Sequence, residues 1–157
     1  IAMALLHNPS VIIADEATTA LDVSIQGQIL AEVRDLADRT GAAVVWITHD
    51  LAVVSSLADD ICVMYAGKIV ERGTAEQVID QPRHPYTKGL LESIPALHTP
   101  GTRLPQIPGS TPQLSRLPQG CPFRPRCPRA SDICATVPPE VTVEGQTVLC
   151  HHPLEHP

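Results

Sequence analysis

The first 81 residues predict an α/β fold, and residues 82–157 predict an irregular Pro- and Cys-rich extension. Three observations carry this expectation. Two apolar runs, residues 11–14 and 43–48, flank a stretch of helical periodicity, the strand–helix–strand order of a parallel pair joined by a right-handed crossover. Two further β-type runs flank Ala66-Gly67 and read as an antiparallel hairpin. Last, composition changes at one place: only Pro9 of the 16 prolines precedes position 82. Charge divides there too, with 12 Asp/Glu against 4 Lys/Arg in residues 1–81 and 5 against 7 in residues 82–157.

In chain order, residues 1–6 read as helical, and a chain that opens inside a helix suggests a fragment. Val11, Ile12, Ile13 and Ala14 then form a strand with the character of a buried parallel strand, ending in Asp15 and Glu16. Asp22 or Ser24 caps a helix over residues 25–39, with Ile25, Ile29, Val33 and Leu36 at helical spacing and Gly41 as its stop. The second strand, ending at Thr48-His49, is followed by a short helix over residues 51–57 with Asp50 as its cap. After the hairpin of residues 61–65 and 68–72, where Cys62 is expected to pack as a small buried hydrophobe, Thr74 and Gln77 have the spacing of a capping box for a helix reaching residue 80. His84-Pro85-Tyr86 is a helix-start turn for one more helix over residues 86–94. From residue 95 to 118 the prolines leave no sustained periodicity, which is the signature of a linker or wrapping arm.

Several function classes are disfavoured. The acidic first part, which accounts for the chain's net charge of −6, has no basic stripe to suit nucleic acid. No apolar run has the length of a membrane span, and no signal peptide is evident, so any membrane association is expected to come through a partner.

Chemistry in open parallel sheets gathers at the carboxyl ends of strands. Two carboxylates at one such end can divide the work of nucleotide hydrolysis, one acting on magnesium and the other on the attacking water. A strand ending in Thr48-His49 beside it would add a group able to bond a phosphate or that water.

The strand ending Asp15-Glu16, the turn Ala20-Leu21-Asp22, the helix, and Trp46-Ile47-Thr48-His49-Asp50 together resemble the C-terminal half of an ATP-binding-cassette (ABC) ATPase. That resemblance implies a P-loop nucleotide-binding domain using ATP and Mg2+. Asp15 would be the Walker B aspartate on magnesium, Glu16 the catalytic base, Ala20, Leu21 and Asp22 the D-loop at the dimer interface, and His49 the switch histidine. Ala17 stands where the family commonly has proline, a departure confined to the turn. No glycine in the chain is followed by Lys and Ser/Thr, so no phosphate-cradling loop is present. By the resemblance, the Walker A loop, Q-loop and signature motif would precede Ile1, and this piece alone is expected not to hydrolyse ATP.

In the extension, Cys121, Cys127, Cys134 and Cys150 are separated by 5, 6 and 15 residues. Four cysteines in a segment without a core point to a staple. The spacing itself leaves disulfides, zinc (with His151 or His152 contributing) and an iron–sulfur cluster open. His84-Pro85-Tyr86-Thr87, Ser93-Ile94-Pro95 and the Gly-Cys-Pro-Phe box beginning at Gly120 resemble the C-terminal extension of oligopeptide/dipeptide and nickel importer ATPases. That resemblance favours a [4Fe-4S] cluster on the four cysteines, with zinc as second choice.

The resemblance implies a transport ATPase at the cytoplasmic face of the cell membrane. Its partners would be a second cassette, identical or paralogous, two membrane-spanning permease subunits and, indirectly, an extracytoplasmic solute-binding protein. Two rivals remain: a stand-alone cluster- or zinc-binding interaction module on a truncated cassette, and a cassette ATPase that is not a transporter.

Overall fold

The computed structural model describes residues 7–18, 21–95, 98–99, 101 and 104–156. The expected helix over residues 1–6 lies outside them. The fold is mixed α/β, with one parallel and one antiparallel sheet. Contacts divide the chain into two compact units, Ile1–Ala58 and Asp59–Pro157.

In the first unit, β1 (Val11–Asp15) and β2 (Ala43–Ile47) pair in parallel, Ile13 opposite Val45 and Asp15 opposite Ile47. Between them runs α1 (Val23–Thr40), and after β2 comes α2 (Leu51–Leu57). Asp22 occupies the N-cap of α1 without a side-chain cap bond, and Gly41, at φ 69°, ends the helix in the left-handed conformation. Ile12 and Ala14 of β1, Leu30 and Val33 of α1, and Val53 of α2 are buried. The expectation of a strand buried on both sides holds for one face only: Val11, Ile13, Val45 and Ile47 share the other face and are exposed. The physical reason is the alternation of a two-stranded sheet, which turns every second side chain away from the helical layer.

The second unit is built on the expected hairpin, β3 (Asp60–Tyr65) and β4 (Lys68–Thr74), joined by Ala66 and Gly67, both at positive φ as a two-residue hairpin loop requires. Ile61, Val63 and Tyr65 face the core, so Cys62 and Met64 point outward, and Cys62 is exposed rather than buried. On β4, Val63 opposes Glu71 while Met64 opposes Ile69, leaving Val70 as an extra residue. This bulge interrupts the alternation and buries Val70 and Glu71 together.

Thr74 and Gln77 form the full capping box of α3 (Ala75–Asp80). His84, at the N-cap of α4 (Pro85–Glu92), accepts the Tyr86 N–H through Nδ1 at 3.0 Å. Within α4, a Cβ on Gly89 would stand 2.8 Å from Ile107 Cγ1, so the absent side chain lets this arm lie against the helix.

Residues 82–157 are more regular than expected. They supply β5 (Glu140–Val143) and β6 (Gln146–Leu149), turned by Glu144 and Gly145 at positive φ, and β6 joins β4 to give the antiparallel order β3-β4-β6-β5. The break in composition at residue 82 therefore runs through the second unit rather than along its edge.

Glu71, 1% exposed, fastens this arrangement. Its carboxylate accepts the backbone N–H of Arg83, that of His84 at 3.1 Å and the Gln146 amide at 2.7 Å. Gln146 Oε1 in turn accepts Arg83 Nε at 3.0 Å. Burial raises the Glu71 pKa, with the Thr87 hydroxyl and these donors opposing.

His84 is 1% exposed, and burial lowers its pKa to about 4. The native state therefore holds neutral imidazole, while the unfolded chain takes up a proton below the ordinary value of 6.5. The stabilisation is complete above pH 6.5 and is lost as pH falls toward 4, a swing on the order of 3 kcal/mol. Glu71 acts oppositely, since its protonation in acid relieves a buried charge. Urea unfolding followed through Tyr65 and Tyr86 is expected to show a midpoint that falls across this window. His84→Asn, which keeps an N-cap acceptor, is expected to flatten that fall; an unchanged slope would remove His84 as its cause.

Candidate functional site

The first site lies where the parallel strands end. The Glu16 N–H donates to Ile47 O at 2.9 Å, extending the β1–β2 ladder by one residue. Glu16 itself adopts φ 47°, an uncommon left-handed conformation for a residue with a side chain. The chain thus turns sharply at the second carboxylate, and Glu16 Oε1 stands 3.2 Å from His49 Nδ1. The two side chains are 54% and 70% exposed. A solvent-facing pair contributes little to stability, on the order of 0.5 kcal/mol, so its geometry is not explained by a need to hold the fold. A carboxylate and an imidazole in contact and open to water can accept, hold and pass a proton.

Thr48 Oγ1 accepts the Asp50 N–H at 3.0 Å, and Asp50 O accepts the Val54 N–H at the start of α2. His49 is thereby fixed in a tight link between β2 and α2. Asp15, at the last position of β1, is exposed and lies on the same sheet face as Ile13. Of the turn residues, Ala20 lies outside the described residues. Leu21 donates its N–H to Thr18 O at 3.1 Å, and Asp22 O accepts the N–H groups of Ile25 and Gln26. Sequence reasoning passed over Gln26, whose side-chain amide also bonds Thr18 O at 2.9 Å and braces the turn from α1. An amide one turn inside a helix gives no local sign of such a contact.

The second site, in the other unit, contains the four cysteines of the extension. All are free thiols; Cys121, Cys134 and Cys150 are buried and Cys127 is half-buried. The Cys121 N–H donates to Cys134 O at 3.0 Å, where two loops cross. Burial raises the thiol pKa of Cys121 and Cys127 and lifts that of Cys150 to about 11. The thiols also lie within electrostatic reach of one another: Cys150 feels Cys121, Cys127 and Cys134. Backbone N–H groups point at the sulfurs, from Phe123 and Arg124 to Cys121, from Arg129 to Cys127 and from His152 to Cys150, the last at 3.3 Å.

His151 and His152 are engaged elsewhere. His152 Nε2 lies 2.6 Å from Ser131 Oγ, and His151 Nε2 lies 3.2 Å from both the hydroxyl and the carbonyl of Thr136. Among the described residues, no three His, Cys, Asp or Glu side chains are placed to hold a single metal ion.

Phe123, carried between Cys121 and Cys127 and 2% exposed, is the residue of this region that spacing arguments missed. Its ring centre lies 5.2 Å from Tyr65, 5.4 Å from Tyr86 and 5.8 Å from His84. With four aromatic residues in the whole chain, its position two residues after Cys121 was the available signal.

Residues 70–134 match the family described as the C-terminal region of oligopeptide/dipeptide transporters. Nearly the whole chain is related to ATP-binding proteins of peptide transport. The Oligopeptide transport ATP-binding protein OppD of Escherichia coli (strain K12) is 49% identical over 156 residues, which cover 99% of this chain and 46% of that protein. The Dipeptide transport ATP-binding protein DppD of Bacillus subtilis (strain 168) is 49% identical over 152 residues, 96% of this chain and 45% of that protein. The chain thus spans a little under half the length of these relatives.

Proposed function

We propose that this chain is the Walker B, D-loop and switch-histidine portion of the ATP-hydrolysing subunit of an ABC peptide importer. The observation that carries the reading is the Glu16–His49 contact at the ends of two adjacent parallel strands. The relatives, named for oligopeptide and dipeptide transport, favour a peptide over nickel as the solute.

In this reading Glu16 is the general base, taking the proton of the water that attacks the terminal phosphate of ATP. His49 orients the Glu16 carboxylate and faces that phosphate. Asp15, an exposed carboxylate at a strand end, offers the hard oxygen donor that Mg2+ prefers. Magnesium would supply charge neutralisation on the phosphates. Leu21 and Asp22, with Ala20, would meet the second cassette across the dimer. The sequence carries no glycine followed by Lys and Ser/Thr, so the phosphates must be cradled by residues other than these. Closure of the two cassettes on ATP would switch two membrane-spanning subunits, supplied with peptide by an extracytoplasmic binding protein, and would hold this chain at the cytoplasmic face of the membrane. Co-purification with membrane-spanning subunits is expected; a cassette pair that turns over ATP without them would mark a non-transport ATPase.

For the four cysteines we propose a [4Fe-4S] cluster. Thiols in mutual reach, with N–H groups aimed at their sulfurs, suit ligands spread over four irons. Protein prepared without oxygen is expected to be brown and to carry iron and sulfide; colourless protein with one zinc per chain would contradict the cluster.

A further inference from the structure

We infer that Gly120 is a positioning residue of the four-thiol site: its missing side chain lets the Cys121 loop cross the Cys134–Ala135 backbone closely enough to bring those two thiols into one site. The inference rests on the reading of the cysteines as a joint ligand set, and it concerns how the chain assembles that set.

The crossing leaves no space for a side chain. A Cβ on Gly120 would stand 2.5 Å from the carbonyl oxygens of both Cys134 and Ala135, and nearer still to the Ala135 carbonyl carbon. All three obstacles are backbone atoms, which cannot swing aside as the tip of a flexible side chain can. Gly120 also sits at φ 78°, the left-handed region that residues with a Cβ rarely adopt. Immediately after it, the Cys121 N–H closes on Cys134 O at 3.0 Å. Any side chain at position 120 must lengthen this bond and drive apart two of the four sulfurs. Support of this kind around metal ligands sets affinity, because the ligands must be held before the metal arrives.

Gly67 supplies the matched control. It has the same φ of 78°, yet a Cβ there meets only Leu114 Cδ2 at 3.9 Å. Gly67→Ala therefore carries the conformational strain of Gly120→Ala without the collision.

The test compares the full chain with its Gly120→Ala and Gly67→Ala variants, prepared without oxygen and assayed for iron, sulfide and zinc per chain. Gly120→Ala is expected to lower metal content about tenfold or more, and Gly67→Ala to leave it within about twofold. A second readout needs no metal. In the metal-free chain, diamide takes two electrons and two protons from a pair of thiols and leaves a disulfide, which peptide mapping locates. The wild type and Gly67→Ala are expected to form the Cys121–Cys134 disulfide readily, and Gly120→Ala at least about tenfold more slowly.

Wild-type metal content in Gly120→Ala, or equally fast disulfide formation, would overturn the positioning role. So would loss of the tyrosine-reported unfolding transition in Gly120→Ala but not in Cys121→Ser, since Gly120 would then serve the fold at large. If the wild type itself binds neither iron nor zinc, the cluster reading falls, and disulfide formation alone decides the role of Gly120.

Discussion

On the proposed function, Glu16→Gln is expected to leave ATP bound to the assembled importer and to lower its hydrolysis by about a hundredfold or more. The amide keeps the shape of the side chain and its place 3.2 Å from His49 Nδ1 but has lost the basic oxygen. His49→Ala is expected to lower turnover as well, because Glu16 then loses the group that orients it. The two residues touch, so their effects should not add: the double variant is expected to be scarcely slower than Glu16→Gln alone. Single-turnover hydrolysis and nucleotide binding, measured on the same preparations, separate loss of chemistry from loss of affinity. Wild-type turnover in Glu16→Gln would take the role of base away from Glu16, and additive effects would show that the contact with His49 does not matter to the reaction.

On the proposed cluster reading, Cys134→Ser is expected to abolish cluster content and to destabilise the second unit by more than about 4 kcal/mol, the range in which losses of structural metal fall. Cys134 is buried, and its carbonyl accepts the Cys121 N–H, a bond that serine leaves intact. The effect therefore isolates the sulfur. For a unit of this size about 4–8 °C is lost per kcal/mol, so the melting midpoint reported by Tyr65 and Tyr86 should fall by roughly 15 °C or more. Cys62→Ser, at an exposed position outside the thiol group, is expected to change neither iron content nor stability. Equal stability of Cys134→Ser and wild type would deny the four cysteines a structural role.

Much of the fold was legible because the deciding interactions are local. The Thr74–Gln77 capping box, the Ala66-Gly67 hairpin turn and the His84-Pro85 helix start each lie within a few residues of sequence. The β1–β2 pairing was legible at longer range, since a strand–helix–strand order leaves few alternatives. The Glu71 network was not: Gln146 is 75 residues away, and the carboxylate is turned inward by a bulge at Val70 that no alternation pattern announces. The same alternation, applied to β3, would have placed Cys62 outside; its residue type pointed the other way. The β5–β6 hairpin had a usable signal, alternating Glu140-Val-Thr-Val143 followed by Glu144-Gly145, which the surrounding prolines obscured.

At the strand-end site, the juxtaposition of Glu16 and His49 was expected and is observed. The left-handed turn at Glu16 and the Gln26 brace on Thr18 depend on backbone geometry that residue types alone do not specify. In the extension, the number of cysteines pointed to a staple, and the structure brings Cys150 within electrostatic reach of the other three. The loop crossing at Gly120 has no sign in the sequence, because it depends on which backbone atoms lie where a Cβ would be.

The most direct test is ATP turnover and peptide uptake measured together in vesicles holding the assembled importer, with and without peptide-loaded binding protein. Turnover is expected to rise with peptide, peptide is expected to accumulate, and Asp15→Asn is expected to stop both. ATP turnover indifferent to peptide, or uptake that survives Asp15→Asn, would contradict the assignment of this chain to the motor of a peptide importer.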